Sequence, residues 1–137
     1  MESPQKIVVR FQDGKVLKGT TQDFFPNKER FHLNQTDGNS LPVPIEISIT
    51  QIKAVFFVKD YKGNKAYQKP NGFTESGQSQ YGRKSTIKFK DGEILYGYTQ
   101  GFSPGRLGFF LFPNDPESNN HKVFVVQAFV AKLEFPP

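Results

Sequence analysis

Apolar and polar residues alternate with a period of two along most of the chain, which predicts half-buried β-strands and not helices. Ile7, Val9 and Phe11 alternate with Val8, Arg10 and Gln12, and Ile87 and Phe89 alternate with Lys88 and Lys90. Asp13-Gly14 and Asp91-Gly92 then supply hairpin turns, because glycine tolerates the positive φ such turns require. A second strand runs through Val16, Leu17 and Thr21, and again through Ile94, Leu95 and Thr99. Gly19 and Gly97 sit inside that strand, where a glycine marks a bend or a close backbone approach. Phe31 and Leu33 (Phe109 and Leu111) begin a third strand, Ile45 and Ile47 (Val123 and Val125) a fourth, and Val55 and Phe57 (Leu133 and Phe135) a fifth. No stretch of ten or more residues has the pattern of an amphipathic helix.

The two sets of strands are one pattern written twice. Residues 6–57 recur at 84–135 with a constant offset of 78 and no insertion or deletion, and F-x-D-G-x-x-L-x-G appears at Phe11–Gly19 and at Phe89–Gly97. Five short strands, a bent second strand and glycine turns in about 55 residues predict a small, strongly curved β-barrel. The expected fold is all-β, with two tandem five-stranded barrels related by duplication: residues 1–58, a basic and aromatic linker at 59–83 that is partly disordered, and residues 84–137. Asp13 and Asp91 are read as turn residues, since Asp before Gly bonds the local backbone.

The two fifth strands differ. Ala54-Val55-Phe56-Phe57-Val58 is apolar on both faces, whereas Lys132-Leu133-Glu134-Phe135 alternates as a half-exposed strand should. The first copy's strand is therefore expected to be covered on its second face, by the other copy or by a partner chain, with Phe56 as the contact to watch.

Charge adds a second asymmetry. Of the net +5, residues 1–57 carry +1, residues 84–137 carry +1 and the intervening residues 58–83 carry +3. Lys59, Tyr61, Lys62, Lys65 and Tyr67 interleave base and aromatic there, the combination that grips single-stranded nucleic acid by stacking and charge. The absence of cysteine excludes disulfides and thiolate metal ligands and fits a reducing interior. No apolar run reaches signal-peptide or membrane-helix length, so a cytoplasmic protein without membrane contact is expected.

Enzyme chemistry finds little support. There is no P-loop, nucleophile elbow or dinucleotide glycine motif, and His32 and His121 have no metal-ligand spacing. Asp115-Pro116-Glu117-Ser118-Asn119-Asn120 offers alternating oxygens but lacks the glycine and terminal glutamate of a calcium loop, so it reads as a turn. No catalytic residue, cofactor or metal is expected.

Val9 to Gly19 resembles the first motif of Sm-like proteins, and Ile45-Glu46-Ile47 and Lys53–Phe56 lie where an Sm-like fourth and fifth strand would fall. Ser103-Pro104-Gly105-Arg106 departs from that pattern in the loop before strand three, and no Lys-His pair follows Ile47 or Val125. The resemblance therefore implies an Sm/SH3-like architecture and transfers no RNA contact. Nearly the whole chain is also similar to an uncharacterised bacterial domain with the same doubled signature, including Gly97-Tyr98-Thr99 and Gly108-Phe109-Phe110-Leu111. The expected role is a non-enzymatic bacterial binding or adaptor module that meets a protein partner, or itself, through strand edges. The alternative is RNA binding by the linker with Arg10, Lys88 and Lys90.

Overall fold

The computed structural model describes residues 5–35, 44–61, 82–100, 102–115 and 117–136. Ten strands fall along the alternating segments: β1 (Gln5–Phe11), β2 (Val16–Thr21), β3 (Arg30–Gln35), β4 (Pro44–Ser48), β5 (Ile52–Val58), β6 (Arg83–Phe89), β7 (Ile94–Gln100), β8 (Gly108–Pro113), β9 (Asn120–Val126) and β10 (Val130–Glu134). Short 3-10 turns, Ile49–Gln51 and Gln127–Phe129, lead into β5 and β10.

The expectation of two tandem five-stranded barrels is overturned. All ten strands form one open antiparallel sheet in the order β10-β6-β7-β8-β9-β5-β1-β2-β3-β4. Neither half closes on itself, because β5 and β9 spend their second edges on each other and leave β4 and β10 at the ends. The physical reason lies in side-chain pattern. A strand that is apolar on both faces needs cover on both, and the β5–β9 ladder places both strands at the middle of the sheet, where each contributes side chains to two hydrophobic clusters.

Within that sheet the two halves follow the same strand order and share local hydrogen bonds. Gly14 N–H donates to Phe11 O and Gly92 N–H to Phe89 O, both glycines having φ of 96°. Gln12 and Lys90 donate to Gln51 O and Phe129 O, holding each hairpin against the turn that precedes the half's last strand. Asp13 and Asp91 accept the backbone N–H of Lys15 and Glu93, 2.9 and 3.0 Å away. At Gly19 and Gly97 a Cβ would overlap the carbonyl oxygens of Asn34 and Phe112 on the next strand, so these bends require glycine.

Two hydrophobic clusters fill opposite faces of the central strands. Ile7, Val9, Val55 and Phe57 join Phe31, Leu33 and Ile47 in the first. Val8, Ala54, Phe56 and Val58 turn the other way and join Ile87, Phe89, Phe109 and Leu111 in the second. Every residue of β5 is consequently buried.

Candidate interaction surface

The junction between the halves is made of side chains that each half lends to the other. Phe124 and Val126 are fully buried in the first cluster, with Leu107 and Phe110 packed beside them, although all four belong to the second half. Their register is set by the β5–β9 ladder, in which Val55 faces Phe124 and Phe56 faces Val123. Phe24 lies at the centre, edge-on to Phe31, Phe57 and Phe124 at 5.2, 5.4 and 5.0 Å between ring centroids. Lys122 lies over Phe57 and Phe110 at 5.0 and 4.7 Å, closing the aromatic nest with a cation. Phe56 is 7% exposed in the second cluster, with the Arg10 guanidinium 5.6 Å above its ring. It is therefore an internal contact between halves and not an outward-facing one.

Lys53 adds a polar clamp that alternation alone does not reveal. Its side chain is 7% exposed, lies 4.6 Å from the Phe89 ring, and donates to Asp91 Oδ2 at 2.7 Å and to Glu93 Oε1. Asp91 thus does more than fix its own turn. The hydrogen bond from Lys53 is the largest influence on its carboxyl and outweighs burial, so its pKa lies below the ordinary value. The lysine has no counterpart at the β10 end, since Ala131 stands 78 residues beyond Lys53.

The start of the linker is tied to both halves. Asn119 accepts the Lys59 N–H on its backbone oxygen and the Asp60 N–H on its side-chain oxygen, and its amide donates back to Asp60 O at 2.8 Å. The Tyr61 hydroxyl donates to Gly19 O at 2.7 Å, and Lys18 Nζ donates to Tyr61 O at 3.2 Å. Lys6 lies 5.8 Å from the ring, and burial raises the phenol's pKa. Lys62, Lys65 and Tyr67 lie outside the described residues. Of the exposed bases Arg10, Lys88 and Lys90, Arg10 lies on β1 whereas Lys88 lies on β6 beside Lys132 of β10, its ladder partner.

Sequence reasoning also missed a second side-chain cluster, Thr21, Asp23 and His32. Asp23 Oδ1 accepts from the Thr21 hydroxyl and the His32 N–H, and its Oδ2 lies 2.7 Å from His32 Nδ1. Burial raises the Asp23 carboxyl, but the hydrogen bonds and charge of His32 outweigh it and leave a lowered pKa. The grouping resembles a catalytic triad only by residue type. Thr21 is buried and donates to His32 O at 2.9 Å, so its hydroxyl is not presented to the imidazole as a nucleophile. The signal available in sequence was T-x-D on one strand's exit with a histidine on the next strand, nine residues after the aspartate.

Among the described residues no group of three or more His, Cys, Asp or Glu side chains converges as a metal site. In the loop before β9, Asp115 accepts the Glu117 and Ser118 N–H groups, the hydrogen bonding of a turn. No helix among the described residues is long and apolar enough to cross a membrane.

The two ends of the sheet differ. β4 begins with Pro44, carries exposed Glu46 and holds Arg30 3.8 Å from that carboxylate. At the other end β10 contains no proline, and Phe102 beside it is 40% exposed. Phe102 packs edge-on against Phe109 and Phe135 at 5.4 and 5.8 Å, with Arg83 stacked 3.9 Å from Phe135.

No curated protein and no solved structure matches the chain. A family of unknown function (DUF6982) matches residues 3–135, and with nearly its whole length covered the chain belongs to that family.

Proposed function

We propose that the chain is a non-enzymatic bacterial cytoplasmic module, built by internal duplication, that binds a protein partner through an open edge of its sheet. The observation that carries this reading is the sheet's layout. β5 and β9 consume one another's edges, whereas β4 and β10 each keep one row of backbone donors and acceptors without a ladder partner among the described residues. Such a row is a template for an added strand. Nucleic-acid binding has weaker support, because Tyr61 is packed against the second cluster with its hydroxyl committed to Gly19.

The test is selection of extended peptides from a random library on the full chain, followed by hydrogen exchange on the complexes. Binders that protect β4 or β10 amides are expected. A selection yielding no binders, or binders that protect only other surfaces, overturns the reading. Salt-dependent micromolar binding of labelled single-stranded RNA would favour the nucleic-acid alternative.

A further inference from the structure

Comparing the internal junction with the sheet's free ends shows what one of those ends is shaped to accept. At the junction the first half offers an aromatic nest (Phe24, Phe31 and Phe57 with Val55), and the second half fills it with Phe124 and Phe110. Seventy-eight residues on, the nest recurs at the β10 end as Phe102, Phe109, Phe135 and Leu133. There, among the described residues, no second set of rings covers it, and Phe102 is 40% exposed.

The chain's own β4 cannot fill that nest. The positions that match Leu107, Phe110, Phe124 and Val126 are Glu29, His32, Glu46 and Ser48. A second copy added in the junction's register would place Glu46 against Phe102 and force a carboxylate out of water among aromatic rings. It would also bring Pro44, which lacks an N–H, opposite Phe135. The acceptor has been kept while every donor has become polar.

We infer that the β10 edge is a docking site for an extended strand of a different protein, one with an aromatic side chain set opposite Leu133. The inference rests on the edge-binding reading above and narrows it to one edge and one chemistry. Register follows from the junction, where Val55 faces Phe124 and Phe57 faces Lys122. The bound strand's aromatic faces inward to Phe102. Its alternate residues face outward beside Lys132 and Glu134, which pair with each other at 2.7 Å and stay exposed, so those residues are polar or charged. Arg83 already supplies the cation over Phe135 that Lys122 supplies over Phe57, and the guest needs none there.

The experiment uses the full chain and three labelled peptides, each with a soluble dilysine tail: residues 118–127 of this sequence, the same peptide with Phe124→Glu, and residues 42–50. Anisotropy gives affinity and hydrogen exchange gives location. The first peptide is expected to bind and to protect β10 and β6 amides, and the other two to bind at least tenfold more weakly. A Phe102→Ser chain should also lose at least tenfold, with its folded state checked by circular dichroism. Equal affinity of the Phe and Glu peptides, binding of the first peptide elsewhere than β10, or no binding overturns the inference. If library peptides nevertheless protect β4, edge binding stands and the β10 assignment alone falls. Concentration-dependent self-association of the unmodified chain through β10 overturns it too, since β4 would then be the occupant.

Discussion

Lys53 gives the sharpest test of how the halves are held together, because removing the base and removing its acids have unequal consequences. The ammonium sits in a 7% exposed side chain, whereas Asp91 and Glu93 are 45% and 39% exposed. Lys53→Met keeps the stem that fills the site and lets both carboxylates return to water, so it should cost no more than about 1 kcal/mol, the range of exposed ion pairs. Asp91→Asn with Glu93→Gln instead leaves a buried cation without its charges. The penalty for a fully buried orphan is about 3–5 kcal/mol, and discounting for the acids' exposure gives about 2 kcal/mol. The triple variant, which removes the orphan, should return to within about 1 kcal/mol of the parent. Urea unfolding with a common m-value reads all three. The clamp also sets a pH dependence. The folded Asp91 carboxyl titrates below its ordinary 3.8, so its contribution is complete above that value and is lost as pH falls through the lower folded pKa. Lys53→Met should flatten that acid limb. The reasoning fails if Lys53→Met costs as much as the double acid variant, or if its acid limb matches the parent's.

Other outcomes follow from the same geometry. Phe124→Ala empties a fully buried position with two close ring partners, Phe24 and Phe110, and should cost about 3–5 kcal/mol in urea unfolding. Asp23→Asn keeps an oxygen for the His32 N–H but loses the charge facing the ring, and should cost about 1 kcal/mol near neutral pH. Because Asp23 titrates below its ordinary range, that cost should shrink as pH is lowered toward 3, which a series of urea melts would show. Glu46→Phe together with His32→Phe restores the missing donors on β4, and sedimentation should then show head-to-tail association that grows with concentration. A monomer at every concentration would mean that the donor positions do not govern edge pairing.

The strands were legible because alternation survives wherever one face meets solvent, as in Arg30-Phe31-His32-Leu33 or Lys132-Leu133-Glu134. The two-faced apolar run at Ala54–Val58 likewise announced that something must cover it. What misled was treating each half as its own closed unit. Val123-Phe124-Val125-Val126 is a second two-faced run, and one such strand in each half is the mark of a shared junction. An offset of 78 shows that two segments fold alike, but not with whom their edge strands pair. Lys53 reaching Asp91 and Glu93 spans 38 and 40 residues, so no local pattern encoded it, whereas Asp23 reaches His32 across only nine residues and left just the T-x-D signal. Neither cluster repeats at the offset of 78, where Ala131 matches Lys53 and Gly101 and Phe110 match Asp23 and His32.

The differences between the halves gather at the joint, and that location has a consequence for affinity. Positions matching Ala54, Phe56 and Val58, which carry the first half into the second cluster, have become Lys132, Glu134 and Pro136. The internal joint is thus cemented on both faces, whereas β10 offers apolar cover on one face only. A linker that holds the halves together supplies an effective concentration in the millimolar range for short flexible tethers, which a partner in solution lacks. β10 is five residues long, and a strand laid along it buries far less than the roughly 1,200 Å² of a stable interface. An occupant held by one aromatic and a short ladder therefore exchanges readily. Durable association requires either a second contact beyond the edge or two such strands in one partner, and measured residence times with single and tandem peptides would separate those cases.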